Sequence, residues 1–157
     1  MSTIILDQYS QYFKQAINEV ANELLEKELE EFENPQEIVP SEKKLVVIIG
    51  MTGDYKGRVL LEITQRSAEI ITEIMNYGPL EEENYLYFYM GEFVNIVSGR
   101  AITYLNNMNK DRIVRLTPPA IFSGNDLKIN TPNVNSTVKF FHDEVIQCKL
   151  DIGFEGV

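Results

Sequence analysis

A single cysteine, Cys148, in 157 residues excludes an internal disulfide framework and a cysteine-rich zinc site. Long apolar runs are missing as well, and none approaches the roughly 20 residues needed to span a bilayer. The opening Met1-Ser2-Thr3-Ile4-Ile5-Leu6-Asp7 has neither the basic region nor the apolar stretch of a signal peptide, so a cytoplasmic protein is expected. Basic residues are scarce: 14 Lys and Arg stand against 24 Asp and Glu, giving a formal net charge of -10 and a pI near 4.6. That balance argues against nucleic acid, whose phosphates need a basic footprint, and against anionic lipid. It suits either plain solubility or a partner with a positive patch. The lone histidine, His142, falls in an expected turn with no Ser or Cys partner at catalytic spacing. Gly50, Gly53 and Gly57 are not followed by Gly-Lys-Ser/Thr or by a strand-to-helix transition, so no phosphate loop is expected. No solenoid repeat is visible.

What is present is enough for one core. The length argues for one domain over residues 1–157, and 44% hydrophobic content can fill it. Leu6, Tyr9, Phe13, Ile17, Val20 and Leu24 recur at helical steps and predict a long first helix over residues 4–33. Its end, Glu26 to Glu33, is acidic and opposes the macrodipole, so it is expected to fray. Asn34-Pro35 stops it, and a short polar linker follows.

The core of the domain is expected over residues 44–152. Leu45–Met51 and Gly57–Ile63 read as a hairpin with its turn at residues 53–57. Thr64 caps a short helix carrying Ala68, Ile71, Ile74 and Met75, stopped at Gly78-Pro79. A second long helix runs from about Asn84 to Asn107. Segments at residues 113–116, 117–124, 126–129, 136–141 and 146–152 then read as strands, with a turn at 142–144. Cys148 alternates with Ile146 and Leu150 and is expected in the core. This order gives an α+β domain, an antiparallel sheet packed against long helices.

The second long helix is the most informative element. At about 100° per residue from Met90, the residues Leu86, Phe93, Val94, Val97, Ala101, Tyr104 and Leu105 fall within about 60°, a buried stripe. Glu92, Asn95 and Gly99 fall on the opposite side, at about 140–200°. The outer face therefore offers a carboxylate, a carboxamide one turn away and a gap without a side chain. Ile96 and Ile102 flank this polar stripe at about 240° and 120° and are expected to be exposed, as suits a docking surface. Tyr85-Leu86-Tyr87-Phe88-Tyr89 reads either as a partner surface or as core and helix-end packing.

Glu92-x-x-Asn95 followed by Gly99 resembles the phosphatase signature of the CheC/CheX/FliY chemotaxis family. Leu116-Thr117-Pro118-Pro119-Ala120-Ile121-Phe122-Ser123-Gly124 resembles the Pro-rich segment that ends in Ser-Gly in CheX-type members. The closing pair of strands fits too, so the resemblance covers roughly residues 44 to 152. It implies a phosphatase acting on the aspartyl phosphate of a response-regulator receiver domain, CheY or similar. It also implies a homodimer. By the same resemblance Glu92 docks onto a receiver lysine, and Asn95 enters the receiver site and positions the attacking water. No cofactor or metal of the chain's own is implied; the partner receiver supplies Mg²⁺. Gly99 would let the partner backbone approach. A copy at Glu73-Ile74-Met75-Asn76 sits at a helix end and is read as coincidence. The rival is a non-catalytic adaptor that holds receivers or flagellar switch components through the same face, separable only by turnover.

Overall fold

The computed structural model describes residues 3–32, 43–125, 127, 129, 134–142 and 145–155. The element order is α1 (Thr3–Leu25), β1 (Glu30–Phe32), β2 (Lys44–Gly53), β3 (Gly57–Thr64), α2 (Gln65–Met75), α3 (Glu83–Met108), β4 (Val114–Leu116), β5 (Ala120–Gly124), β6 (Val134–His142) and β7 (Gln147–Glu155). The strands form one antiparallel sheet in the order β1-β6-β7-β3-β2-β4, with β5 also on β2. An α+β architecture with the helices on the sheet is what the alternation of elements predicts.

Strand periodicity sorts the two sheet faces. Leu45, Val47, Ile49 and Met51 of β2, Val59, Leu61 and Ile63 of β3, and Cys148, Leu150, Ile152 and Phe154 of β7 all enter the core. Phe13 and Ile17 of α1, Ile71 of α2 and Phe93 and Met90 of α3 meet them there. Each of these large side chains contributes about 1.5–3 kcal/mol by leaving water. The other sheet face carries the Arg58–Asp151 pair at 3.0 Å and Lys44–Glu62 at 2.8 Å. The expected hairpin is present, with Leu45 opposite Ile63. Thr64 caps α2 and its side chain accepts from the Ser67 amide.

The first helix departs from its expected bounds. It stops at Leu25, not at residue 33, and Glu26 takes a left-handed φ of 54°. Residues 30–32 then form β1, paired with β6 from Glu30 opposite His142 to Phe32 opposite Phe140. Two forces favour this exit over a longer helix. Acidic residues oppose the helix C-terminus, while the outer edge of β6 offers unpaired backbone groups that a strand satisfies. Leu29, expected on the helix, is instead buried by the turn back. The Asn34-Pro35 stop and the linker lie outside the described residues. Leu127 and Ile129 are not in a strand, and Asp126 and Lys128 lie outside the described residues. His142, expected in the closing turn, instead ends β6, and Asp143 and Glu144 lie outside the described residues.

The end of α2 explains itself through its hydrogen bonds. The Gly78 amide donates to the Glu73 carbonyl at 3.0 Å and the Tyr77 amide to Ile74 at 3.2 Å, the paired bonds of a glycine-type helix stop. The left-handed position, φ 56°, is nevertheless filled by Tyr77, whose side chain is 98% exposed. Tyr77→Gly is therefore expected to raise stability by about 0.5–1 kcal/mol, as relief of Cβ strain outweighs the added freedom of the unfolded chain. A urea unfolding midpoint that falls or stays put would contradict this.

Candidate functional site

Helix α3 is the platform. Glu82 precedes it in an extended conformation and Glu83 lies in its first turn, where a negative charge suits the dipole. At the far end the Asn106 carboxamide substitutes for a strand partner: its Nδ2 donates to the Val114 carbonyl at 3.0 Å and its Oδ1 accepts from the Val114 amide at 2.9 Å. This pair pins the start of β4 to the end of the helix.

The Thr117-Pro118-Pro119 stretch then shapes the wall beside α3. Leu116 pairs with Met51 and Ala120 with Ile48, so three residues of the incoming chain oppose two of β2. Such an extra residue breaks the ladder and bends the strand, and two prolines without donors suit the gap. Thr117 closes it chemically. Its amide donates to the Gly50 carbonyl at 2.9 Å, and its Oγ1 accepts from the Gly50 amide at 2.8 Å. A Cβ on Gly50 would stand 2.9 Å from that hydroxyl oxygen. Beyond the bend, Pro119 and Ile121 come against α3 at Gly91, where a Cβ would meet Ile121 Cδ1 at 3.1 Å and Pro119 Cγ at 3.5 Å. Tyr87 Oη and Ser123 Oγ, 2.8 Å apart, tie helix and strand a turn earlier.

The result is a shallow groove of about 380 Å³ lined by Tyr87, Phe88, Gly91, Glu92, Asn95, Pro119 and Ile121. Glu92 and Asn95 are both exposed on its rim. Among the described residues neither side chain has a hydrogen-bond or ion-pair partner. Leu86, Met90, Phe93, Val94, Val97, Ala101 and Leu105 are buried as the helical stripe predicts, and Tyr104 is half-buried.

The flanks of the polar stripe need one correction. Ile96 is half-buried and packs against the core, keeping part of its surface. Ile102, expected to be exposed and partner-binding, is 6% exposed and belongs to the core. A helical wheel assumes one covered side, but α3 touches α1, α2, β2, β4 and β5, so the buried arc is wider than the apolar stripe. Gly99 is half-buried, and a Cβ added there would meet nothing within 4 Å. Packing among the described residues thus gives no reason for glycine at this position.

Four other Glu-x-x-Asn spellings occur: Glu81–Asn84 is exposed but straddles the start of α3, Asn34 of Glu31–Asn34 lies outside the described residues, and those on α2 and α1 each have one of their two groups engaged. Asn76 is consumed in its own turn, donating to the Gly78 and Pro79 carbonyls at 3.4 and 3.3 Å and accepting from Tyr89 Oη at 2.9 Å. A further copy, Glu19-Val20-Ala21-Asn22 on α1, escaped the sequence reading. Tyr104 Oη donates to Glu19 at 2.7 and 2.8 Å, and Arg100 lies 3.7 Å from the same carboxylate. Arg100 also grips Glu23 through two bonds of 2.8 and 2.7 Å. These hydrogen bonds hold the Glu23 carboxyl below its ordinary pKa and push the Tyr104 phenol above its own. Glu19 and Glu23 thereby join α1 to α3, while Asn22 stays exposed.

Sequence reasoning also missed Gly91, Pro119 and Ile121 as groove walls, although the 117–124 segment carried the signal for two of them, and it left Phe88 open between a partner surface and packing. No group of three or more His, Cys, Asp or Glu positioned to hold a metal occurs among the described residues. No described helix is long and apolar enough to cross a membrane.

The chain is an α+β domain, an antiparallel sheet backed by helices with an acid and an amide exposed beside a groove, and its likeness to known phosphatases makes it a hydrolase of that class. The family described as chemotaxis phosphatase CheX matches residues 45–142. The CheY-P phosphatase CheX of Thermotoga maritima is 31% identical over 118 residues, covering 71% of this chain and 74% of that protein. The chain belongs to the CheX family. The chemotaxis protein CheX of Desulfovibrio desulfuricans matches with a TM-score of 0.81 at 16% identity, over 94% of this chain and 99% of that one. The CheX–CheY–BeF3–Mg²⁺ complex from Borrelia burgdorferi gives a TM-score of 0.76 at 19% identity, over 94% and 97%. At these identities the solved structures establish the fold.

Proposed function

We propose that this chain, acting as one CheX-like domain, accelerates hydrolysis of the aspartyl phosphate on a CheY-like receiver. Glu92 docks onto a receiver lysine, and Asn95 reaches the phosphoryl group and holds the water that attacks it. The cytoplasmic location and the homodimer implied by the family resemblance belong to the same proposal. The observation that carries it is the availability of Glu92 and Asn95 on one helix face: both are exposed beside an open groove with no partner among the described residues, while Glu19 of the α1 copy and Asn76 of the α2 copy are engaged and Glu81–Asn84 straddles the start of α3.

The chemistry fits these groups. An acyl phosphate is already activated, and a receiver brings its own Mg²⁺. What is missing is a water held in line with the leaving oxygen, and phosphoryl transfer responds mainly to positioning and electrostatics. A carboxamide supplies both an acceptor and donors while staying neutral. A carboxylate in its place would repel the phosphoryl oxygens. Glu92 is then an anchor making a charge-assisted hydrogen bond, not a base. The bond that forms joins the water oxygen to phosphorus, and the bond that breaks joins phosphorus to the aspartyl oxygen. The products are inorganic phosphate and a free carboxylate.

The test is phosphate release from a phosphorylated receiver with and without the chain. Faster release is expected. Binding without acceleration would favour the adaptor reading, and no interaction would defeat both. Gly99 supplies a sharper check. Gly99→Ala is expected to stabilise the fold by about 1 kcal/mol through helix propensity, yet to slow stimulated release by crowding the docked partner. Higher stability with undiminished release would remove Gly99 from the docking face.

A further inference from the structure

Phe88 is 64% exposed and stands one helical turn before Glu92. It lines the groove beside Glu92 and Asn95 and also a second groove of about 600 Å³. The walls of that second groove are Asn76, Glu81, Asn84, Tyr85, Phe88 and Tyr89. Its aromatic side is preset: the Phe88 and Tyr89 rings meet edge to face at 5.3 Å and 78°, and Tyr89 is held by Asn76 at 2.9 Å. Tyr85 adds a ring that is 39% exposed. Glu81 is exposed on the rim, followed by the exposed Glu82 and Glu83. Among the described residues no Lys or Arg lines this groove, and Lys43 reaches Glu83 at 3.9 Å instead.

Exposed aromatic faces beside a carboxylate are the surroundings that a guanidinium or ammonium group prefers. Carboxamides at Asn76 and Asn84 add hydrogen-bonding capacity without opposing charge. We infer that this groove seats an arginine or lysine side chain of the docked receiver, giving the partner a second cationic foothold about one to two turns from the lysine that meets Glu92. The inference rests on the receiver-phosphatase reading, and continuity supports the choice of occupant: Phe88 belongs to both grooves, so whatever docks on Glu92 must also cover it. The chain's charge of -10 points to the same sign of partner.

The experiment measures steady-state phosphate release over a range of phosphorylated-receiver concentrations. Phe88→Ala and Glu81→Arg are each expected to raise KM about fivefold or more while kcat changes less than about twofold. Phe88→Leu, which keeps an apolar side chain but loses the ring, is expected to behave like Phe88→Ala. Circular dichroism verifies that the variants keep the fold, as suits surface positions. Unchanged KM in Phe88→Ala and Glu81→Arg, with an active wild type, overturns the foothold and leaves the phosphatase reading standing. A Phe88→Leu variant equal to wild type overturns the cationic occupant in favour of an apolar one. An inactive wild type overturns the reading at Glu92 and Asn95 and the foothold with it.

Discussion

Asn95→Ala is expected to abolish stimulated loss of phosphate from a receiver while leaving the protein folded. The side chain is exposed on α3 and has no partner among the described residues, so its removal leaves no buried group there unsatisfied. Surface substitutions of this kind change stability within about 0.5 kcal/mol, and alanine is the better helix former. Any large loss of activity therefore reports on the reaction. Holding a water in near-attack geometry is worth on the order of 10²-fold or more in rate, so release should fall to the receiver's own spontaneous rate. A thermal melt beside the phosphate-release assay separates the two explanations. Undiminished stimulation would rule out Asn95 as the water-positioning group.

Glu92→Lys is the second large effect, and it acts on binding. The substitution exchanges a charge-assisted hydrogen bond for two like charges face to face. Each of those changes alone is worth more than 1 kcal/mol, so affinity should fall about 10- to 100-fold. Titration calorimetry against a receiver held in its activated form by beryllium fluoride and Mg²⁺ measures this directly. Because Glu92 carries no internal ion pair among the described residues, the drop cannot be assigned to a broken salt bridge within the chain. Equal affinity would count against docking through this face.

Much of this arrangement was legible beforehand. The stripe from Leu86 to Leu105 fixed which side of α3 is buried, and therefore that Glu92 and Asn95 face outward. Hairpin turn chemistry and strand alternation predicted β2 with β3 and β6 with β7. Information failed where tertiary neighbours decide. Ile102 sits at the border of the wheel, and no local pattern says that α3 is wrapped on several sides. The exit of α1 at Leu25 depends on a strand edge more than a hundred residues away in sequence, which helical periodicity does not register. Glu19-x-x-Asn22 is different: it was open in the sequence and was overlooked. Its spelling matches that of Glu92, and only the fold brings Tyr104 and Arg100 across to claim it.

The bend at Thr117-Pro118-Pro119 divides two duties that a continuous strand would perform together. β4 and β5 hold the sheet edge on either side of the bend, and the few residues between them owe the ladder little beyond the bonds Thr117 makes to Gly50. Of the groove walls, Pro119 on the bend is therefore nearly free of scaffold obligations, while Ile121 stays in the ladder opposite Val47. A change at Pro119 would recontour one side of the groove without the sheet that anchors the helix having to change.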